Sequence, residues 1–344
     1  MQRPSLNPVL VDELDAPRRS LVQWLLDLAR RLRLALLPFR WLLFVLLTDL
    51  ADPLHHREAE RSHWRAARLV RGTIVRLGLV PVFAVVVGGS LLFVGLHPPK
   101  TPGVLTPARL GLFFQDTTLT TADGQKLAAW VIPVLSEKRV LAEGARVLRE
   151  PSPAVVLVHD AAGNRAQMLL LVEMFHNAGF VVVVPATRGC DTNAWATQTF
   201  GLREAHDVAA AVQRVREEPL VDPNRVAVVG VGAGATAAAL AAARDPSLSA
   251  VVLYRPMTDA DALVRQRIGP THDRLAVFDG VCAWLMDVSY GLNLHDLNDL
   301  PQTLRSLPQP TLLLDEAPLV PDWRNAVGFL EAQLQPTAAR TLGR

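Results

Sequence analysis

Residues Arg225 to Asp245, RVAVVGVGAGATAAALAAARD, constrain this chain more than any other stretch. Val226 to Val229 form an apolar, β-branched run bounded by glycine, the pattern of a buried strand. Gly230 to Gly234 form a glycine-dense turn, and the alanine-rich run after it favours helix. A strand that turns this sharply into a helix places one residue, Gly232, at the tip beside the helix N-terminus.

Composition decides what surrounds this unit. The chain has 344 residues, half of them hydrophobic, with positive mean hydropathy, so a sizeable core and a membrane segment are both possible. A formal charge of +2 gives no sign of a nucleic-acid partner. The two cysteines, Cys190 and Cys282, make no disulfide framework. No metal or cofactor is expected.

Leu77 to Leu96, LGLVPVFAVVVGGSLLFVGL, carries no charge. As a helix of twenty residues it is about 30 Å long, the depth of a bilayer core. Pro81, Gly88 and Gly89 are tolerated in a membrane helix. Arg57, Arg61, Arg65, Arg68, Arg71 and Arg76 precede the span, while Lys100 and Arg109 follow it. The positive-inside rule then puts the N-terminus in the cytoplasm and the large domain on the exterior (periplasmic or extracellular) face, a single-pass arrangement. Residues 32–47, LRLALLPFRWLLFVLL, contain Pro38 and Arg40 and read as an amphipathic helix on the inner surface. If they cross instead, the pair forms a hairpin and the large domain stays cytoplasmic. The expected organisation is a basic helical region over 1–76, a transmembrane helix over 77–96, a proline-rich linker over 97–107 and a large domain over 108–344.

Within that domain, Asp116 to Thr121 and Lys126 to Pro133 flank the turn Ala122-Asp123-Gly124, which predicts a β-hairpin. Strands are expected at Ala154–Val158, Phe180–Val184, Ala250–Tyr254 and Thr311–Leu314, besides the one before the glycine turn. Helices are expected at Arg165–Ala178, Glu204–Glu217 and Trp323–Leu334. The stretch 257–308 reads as a lid-like insertion. A hairpin followed by βα repeats implies an α/β fold with a mostly parallel sheet covered on both faces.

Three segments in this order, PAVVLVHDAAGNRAQM, FVVVVPATRGCDTN and VDPNRVAVVGVGAGA, resemble the α/β-hydrolase superfamily, in particular its membrane-anchored serine hydrolases. The likeness runs from about Asp116 to Leu334. It implies an eight-stranded type of sheet with its chemistry at the C-terminal strand ends. The glycine turn is similar to the nucleophile elbow G-x-S-x-G, standing here as Gly230-Val231-Gly232-Ala233-Gly234. The tip is glycine, which cannot form an acyl-enzyme. Where similar proteins read His-Gly in the oxyanion loop, this chain reads His159-Asp160. A carboxylate beside a developing oxyanion opposes the transition state.

For the family's acid the resemblance offers Asp315 or Glu316. No histidine occurs after His295, so the last strand and its histidine loop are expected to be missing. Cys190, Asp191, His159, His272 and His295 are the only candidates for a replacement set. A carboxylate next to Cys190 raises a thiol's pKa, and His159 suits a structural hydrogen bond. His272 and His295 match no ligand spacing. His159, Asp160, Asn164, Gly232, Ala233 and Asp315 are left as residues of a possible pocket.

The sequence therefore reads as a membrane-anchored, degenerate α/β hydrolase, a binding or scaffolding pseudoenzyme. Its expected partners are the membrane and a small molecule or protein at the former active-site mouth. The first alternative is an active esterase or peptidase with a relocated or partner-completed site. The second is dinucleotide binding, because Gly230, Gly232 and Ala235 satisfy G-x-G-x-x-A. That fingerprint belongs in the first βα unit, however, and the strand after this turn, Ala250–Tyr254, is followed by Arg255, where an acid is needed.

Overall fold

The computed structural model describes residues 62–97, 101–134, 141, 144, 151–161, 163–193, 196–258, 277–291, 298–314 and 322–334. The chain divides into two compact units. One contains 96–263 and 292–344; the other contains 15–95 and 264–291. Residues 32–47, His272, His295, Asp315 and Glu316 lie outside the described residues.

The first unit is built on a sheet of seven strands: β1 (Gln115–Thr120), β2 (Lys126–Ile132), β3 (Ser152–Val158), β4 (Val181–Pro185), β5 (Val221–Val231), β6 (Ala250–Tyr254) and β7 (Thr311–Leu314). Their order is β1-β2-β4-β3-β5-β6-β7. The hairpin β1–β2 joins β4 antiparallel, and every later pairing is parallel. The eight-stranded sheet implied by the resemblance is thus corrected to seven strands among the described residues.

Alternation along the strands divides the core in two. Ala154, Val156 and Val158 of β3 point into one cluster, and Val155 and Leu157 into the other. The first cluster is closed by α3 (Glu204–Arg216), α4 (Ala233–Arg244) and Leu300 of α6 (Leu300–Arg305). The second is closed by α2 (Leu169–Asn177) and α7 (Trp323–Leu334). Strands β3 and β4 are buried along their whole length, as strands covered on both faces must be.

Two boundaries differ from the sequence reading. The helix expected from Arg165 begins as a 3-10 turn, Arg165–Met168, before α2. Strand β5 starts at Val221, so it takes in Asp222-Pro223-Asn224-Arg225 ahead of the expected run Val226 to Val229. A register shift against β3 between Ser152 and Ala154 accommodates the extra residues.

In the second unit, α1 (Ser62–Leu96) is one helix of 35 residues that contains Pro81. It runs unbroken across the expected 76/77 boundary, because the preceding run SHWRAARLVRGTIVR has no proline and is rich in helix formers. Much of α1 is described by its backbone alone. Over the described residues, no helix is long and apolar enough to cross a membrane. Helix α5 (Val277–Tyr290) belongs to the same unit.

The flanking glycines of the turn are packing requirements. A Cβ at Gly234 would stand 2.5 Å from the His159 carbonyl oxygen and 2.6 Å from that of Val158. A Cβ at Gly230 would meet the backbone of Gly234 and Ala235. Backbone atoms cannot swing aside as a flexible side chain can. Gly234→Ala is therefore expected to destabilise the fold by about 1–3 kcal/mol, the usual cost of overpacking. Gly328→Ala, mid-helix in α7 with nothing within 4 Å, should instead stabilise by roughly 0.5–1 kcal/mol. Urea denaturation of both variants checks the pair.

Candidate functional site

The sheet register brings three strand ends together. Val158 of β3 pairs with Gly230 of β5, and Val231 of β5 pairs with Tyr254 of β6. The loop His159-Asp160-Ala161 leaves β3 beside the turn that leaves β5, where Gly232 donates its N–H to the Tyr254 carbonyl at 2.9 Å. Gly232 has φ 58° and ψ −120°, in left-handed territory that a side chain makes costly. The turn thus has the sharp elbow geometry expected from its glycines, with no side chain at its tip.

Asp160 fills the space above that tip. A Cβ on Gly232 would overlap the Asp160 carboxylate, coming within 2.8 Å of Oδ2 and closer still to Oδ1 and Cγ. Oδ1 accepts two backbone N–H groups, Ala161 at 2.7 Å and Ala233 at 2.8 Å. Ala233 is the first residue of α4, and its Gly232 N-cap offers no side-chain acceptor. Asp160 caps the helix from a distant loop, and the helix dipole favours its negative charge there.

These two donors have a further meaning. In an elbow site, the oxyanion is held by the N–H after the tip residue and an N–H from the loop after the earlier strand. Here those groups are Ala233 and Ala161, and both point at the same oxygen. Asp160 Oδ1 stands where an acyl-transfer oxyanion would stand. The sequence reading placed a carboxylate near that position; the structure puts it inside the donor pair.

His159 is 1% exposed, with both ring nitrogens engaged. Nε2 accepts the Thr187 N–H at 3.2 Å, which leaves the proton on Nδ1 to be donated to the Asp160 carbonyl at 2.8 Å. Burial holds its pKa below the ordinary 6.5. A neutral ring with both edges occupied ties the β3 and β4 loops together and has no free edge for proton transfer. Asn164 donates to the Thr101 carbonyl at 3.0 Å. A small cavity behind the elbow, lined by His159, Thr187, Cys190, Gln198, Glu204 and Ala233 among others, has room for about one water molecule.

Cys190 differs from its sequence reading. The Asp191 carboxylate turns to Arg165 Nε at 2.8 Å, and the Cys190 sulfur receives the Gln198 amide at 2.8 Å. The thiol is buried.

Two arginines organise the surrounding loops. Arg165 also reaches Asp116 at 3.3 Å and lies 4.4 Å over the Trp130 ring, tying the β3–α2 loop to the hairpin. Arg188 grips Asp207 of α3 at 2.6 Å and Asp123 of the hairpin turn at 2.7 Å. Burial pushes the Asp207 carboxyl up to about 6 against the pull of Arg188. The Arg188 hydrogen bonds hold Asp123 well below the usual carboxylate range. Glu204 was not singled out in the sequence. It accepts the N–H groups of Thr199 and Gly201 and the Thr199 hydroxyl, closing the turn before α3. The helix N-cap is Arg203 and Gly201 stands where a capping box needs Ser or Thr, so no local signal marked Glu204. No group of three or more metal-ligating side chains occurs among the described residues.

Comparison with known proteins agrees with this frame. The dienelactone hydrolase family matches residues 140–271. The alpha/beta hydrolase domain-containing protein WAV2 of Arabidopsis thaliana is 27% identical over 186 residues, 51% of this chain and 56% of that protein. An uncharacterized protein of Mycobacterium tuberculosis strain H37Rv is 28% identical over 189 residues, 53% of this chain and 62% of its own length. The matched stretch thus spans less than two thirds of either relative. Together these matches support the α/β-hydrolase superfamily for this chain. At the level of fold it is similar to the Pyrococcus furiosus esterase Pf2001, with a TM-score of 0.52 at 18% identity over 70% of this chain and 98% of that one.

The state of His159 leads to a pH test. Because its folded pKa lies below the ordinary 6.5, folding favours the neutral ring. Stability from this group is complete above about 6.5 and is lost as pH falls from there towards the folded value. Asp207, raised to about 6, acts in the opposite sense, so the contribution is read as a difference between wild type and His159→Gln. That difference should be largest near pH 8, at about 1–3 kcal/mol from the unsatisfied Thr187 N–H, and should shrink towards pH 5. Thermal melts across this range measure it, and a pH-independent difference contradicts the assignment.

Proposed function

We propose that this protein is a membrane-anchored member of the α/β-hydrolase superfamily that carries out no serine acyl transfer and acts by binding or scaffolding at the mouth of the elbow site. One observation carries the non-catalytic part: the Asp160 carboxylate sits above Gly232 and takes both N–H groups that would hold an oxyanion. Catalysis of that kind needs a nucleophile at the tip and an open donor pair. The elbow supplies neither.

The anchor is read from the full sequence of α1, several of whose side chains fall outside the described residues over which no crossing helix is found. Leu77 to Leu96 has no charge, α1 continues through it as one helix, and six arginines lie just before it. This arrangement supports a single crossing with the hydrolase-fold unit on the exterior face. Dinucleotide binding is disfavoured at this turn, since a pyrophosphate would have to use the helix N-terminus that Asp160 already caps.

One observation favours a second reading. The Ala161 and Ala233 donors converge on one point within hydrogen-bonding reach, so an oxyanion site reappears whenever Asp160 swings away. An esterase or peptidase with a relocated or partner-supplied nucleophile could then use it.

The full chain in detergent should show no stoichiometric fluorophosphonate labelling and no hydrolysis of short p-nitrophenyl esters. A labelled serine whose loss abolishes esterase activity would sink the non-catalytic reading in favour of the second. Gly232→Ser should likewise be inactive and less stable, because its Cβ meets the Asp160 carboxylate. Asp160→Gly in the same chain should relieve part of that cost, a coupling of about 0.5–3 kcal/mol in a double-mutant cycle. For the anchor, a C-terminal alkaline phosphatase fusion in a bacterial host should be active and a GFP fusion dark. The reverse pattern supports the hairpin topology and a cytoplasmic domain.

A further inference from the structure

Helices α1 and α5 share the second compact unit. On α5, Trp284 and Val288 are 54% and 64% exposed, while Met286 is 3% exposed. Trp284 and Val288 are one turn apart and lie on the same face. From Trp284 to Tyr290 the helix therefore has a packed side and an open side, and the open side carries Trp284 and Val288 together with Asp287 and Ser289.

On α1, Val82, Val85 and Phe93 are 49%, 40% and 45% exposed. Together with Gly89 they recur at helical spacing and form one stripe. A Leu285 methyl carbon lies 3.7 Å from the position of a Cβ on Gly89. Helix α5 thus meets that stripe at Gly89, with Val82 and Val85 on one side of the contact and Phe93 on the other. Exposed apolar residues thus occur on both helices around this contact, and clustered exposed apolar residues mark interaction surfaces.

We infer that α5 is a membrane-docking helix whose Trp284–Val288 face enters the hydrocarbon of the bilayer that α1 spans. The inference rests on the anchored reading of α1 and extends it to the insertion between β6 and β7. Three observations choose lipid as the occupant. The exposed α1 residues that flank the contact lie within the uncharged segment Leu77 to Leu96. Gly89 lies about 10 Å along the helix from Leu96, inside a hydrocarbon core of about 30 Å. Trp284 is exposed on that side, and tryptophan is enriched at membrane interfaces.

Asp287 limits the depth. It is exposed beside Val288, and a carboxylate in hydrocarbon is costly. A helix of 14 residues is about 21 Å long, too short to cross. Helix α5 therefore lies in the boundary layer, with its apolar face down and Asp287 at headgroup level.

The test uses the full chain reconstituted into phosphatidylcholine vesicles, with Cys282→Ser to remove the thiol on α5; the other native thiol, Cys190, is buried, and the Cys282→Ser chain alone checks that it takes up no label. One added cysteine at a time, labelled with the fluorophore NBD, is placed at Val288, at Phe93 and at Lys126, an exposed residue of the β-hairpin. The Val288→Cys and Phe93→Cys labels should both show blue-shifted emission that is lost when doxyl-labelled lipid is included. The Lys126→Cys label should show neither change. If Phe93→Cys is quenched while Val288→Cys emits as in water, the anchor stands and the docking of α5 is overturned. If neither is quenched, the anchored reading fails with it. Blue-shifted but unquenched emission at Val288→Cys means that protein covers this face, which also overturns the inference.

Discussion

Helix α4 starts almost on top of the end of β3, and the rest of the hydrolase-fold unit is arranged to permit that approach. Gly234 faces the carbonyls of Val158 and His159, and Gly230 faces the backbone of Gly234 and Ala235, at separations that leave no room for a side chain. The left-handed backbone at Gly232 turns the chain through this gap. Strands β3 and β5 are fixed side by side in the middle of the sheet, so the gap cannot be relieved by moving either one. These glycines answer a packing demand that holds whatever chemistry the turn serves.

A helix that begins at a glycine has no acceptor of its own for its first N–H. Asp160 meets the need from across the gap, and His159 holds the loop from which it does so. Around this centre the charged side chains serve chain connections. Arg165 joins the β3–α2 loop to Asp191 and to the hairpin, and Arg188 joins the β4 loop to α3 and the hairpin turn. Removing one partner of such a buried pair strands the other without compensation, which is why these contacts matter even where an isolated ion pair adds little.

Much of the fold was legible because its signals are local. Ala250–Tyr254, Thr311–Leu314 and Trp323–Leu334 fall where their apolar runs and periodicity placed them. The hairpin was marked by Asp123-Gly124 between alternating strands. The 3-10 opening of α2 and the early start of β5 escaped because each depends on a neighbouring strand or loop. At the site, the missing nucleophile could be read directly from Gly232. The destination of the Asp160 side chain could not. Nothing in His159-Asp160-Ala161 tells whether the carboxylate points to solvent, to a cation or into the donor pair. That is settled by two residues 73 positions apart in sequence, Asp160 and Ala233. The Asp191–Arg165 and Gln198–Cys190 contacts were hidden for the same reason.

The overlap between a side chain at 232 and the carboxylate of Asp160 makes the two positions mutually exclusive. A side chain placed at 232 finds its space taken, and removing the aspartate from 160 leaves two backbone donors bare. Neither single change is smooth, so the two residues are locked together, and any arrangement with a larger residue at the tip has to change both.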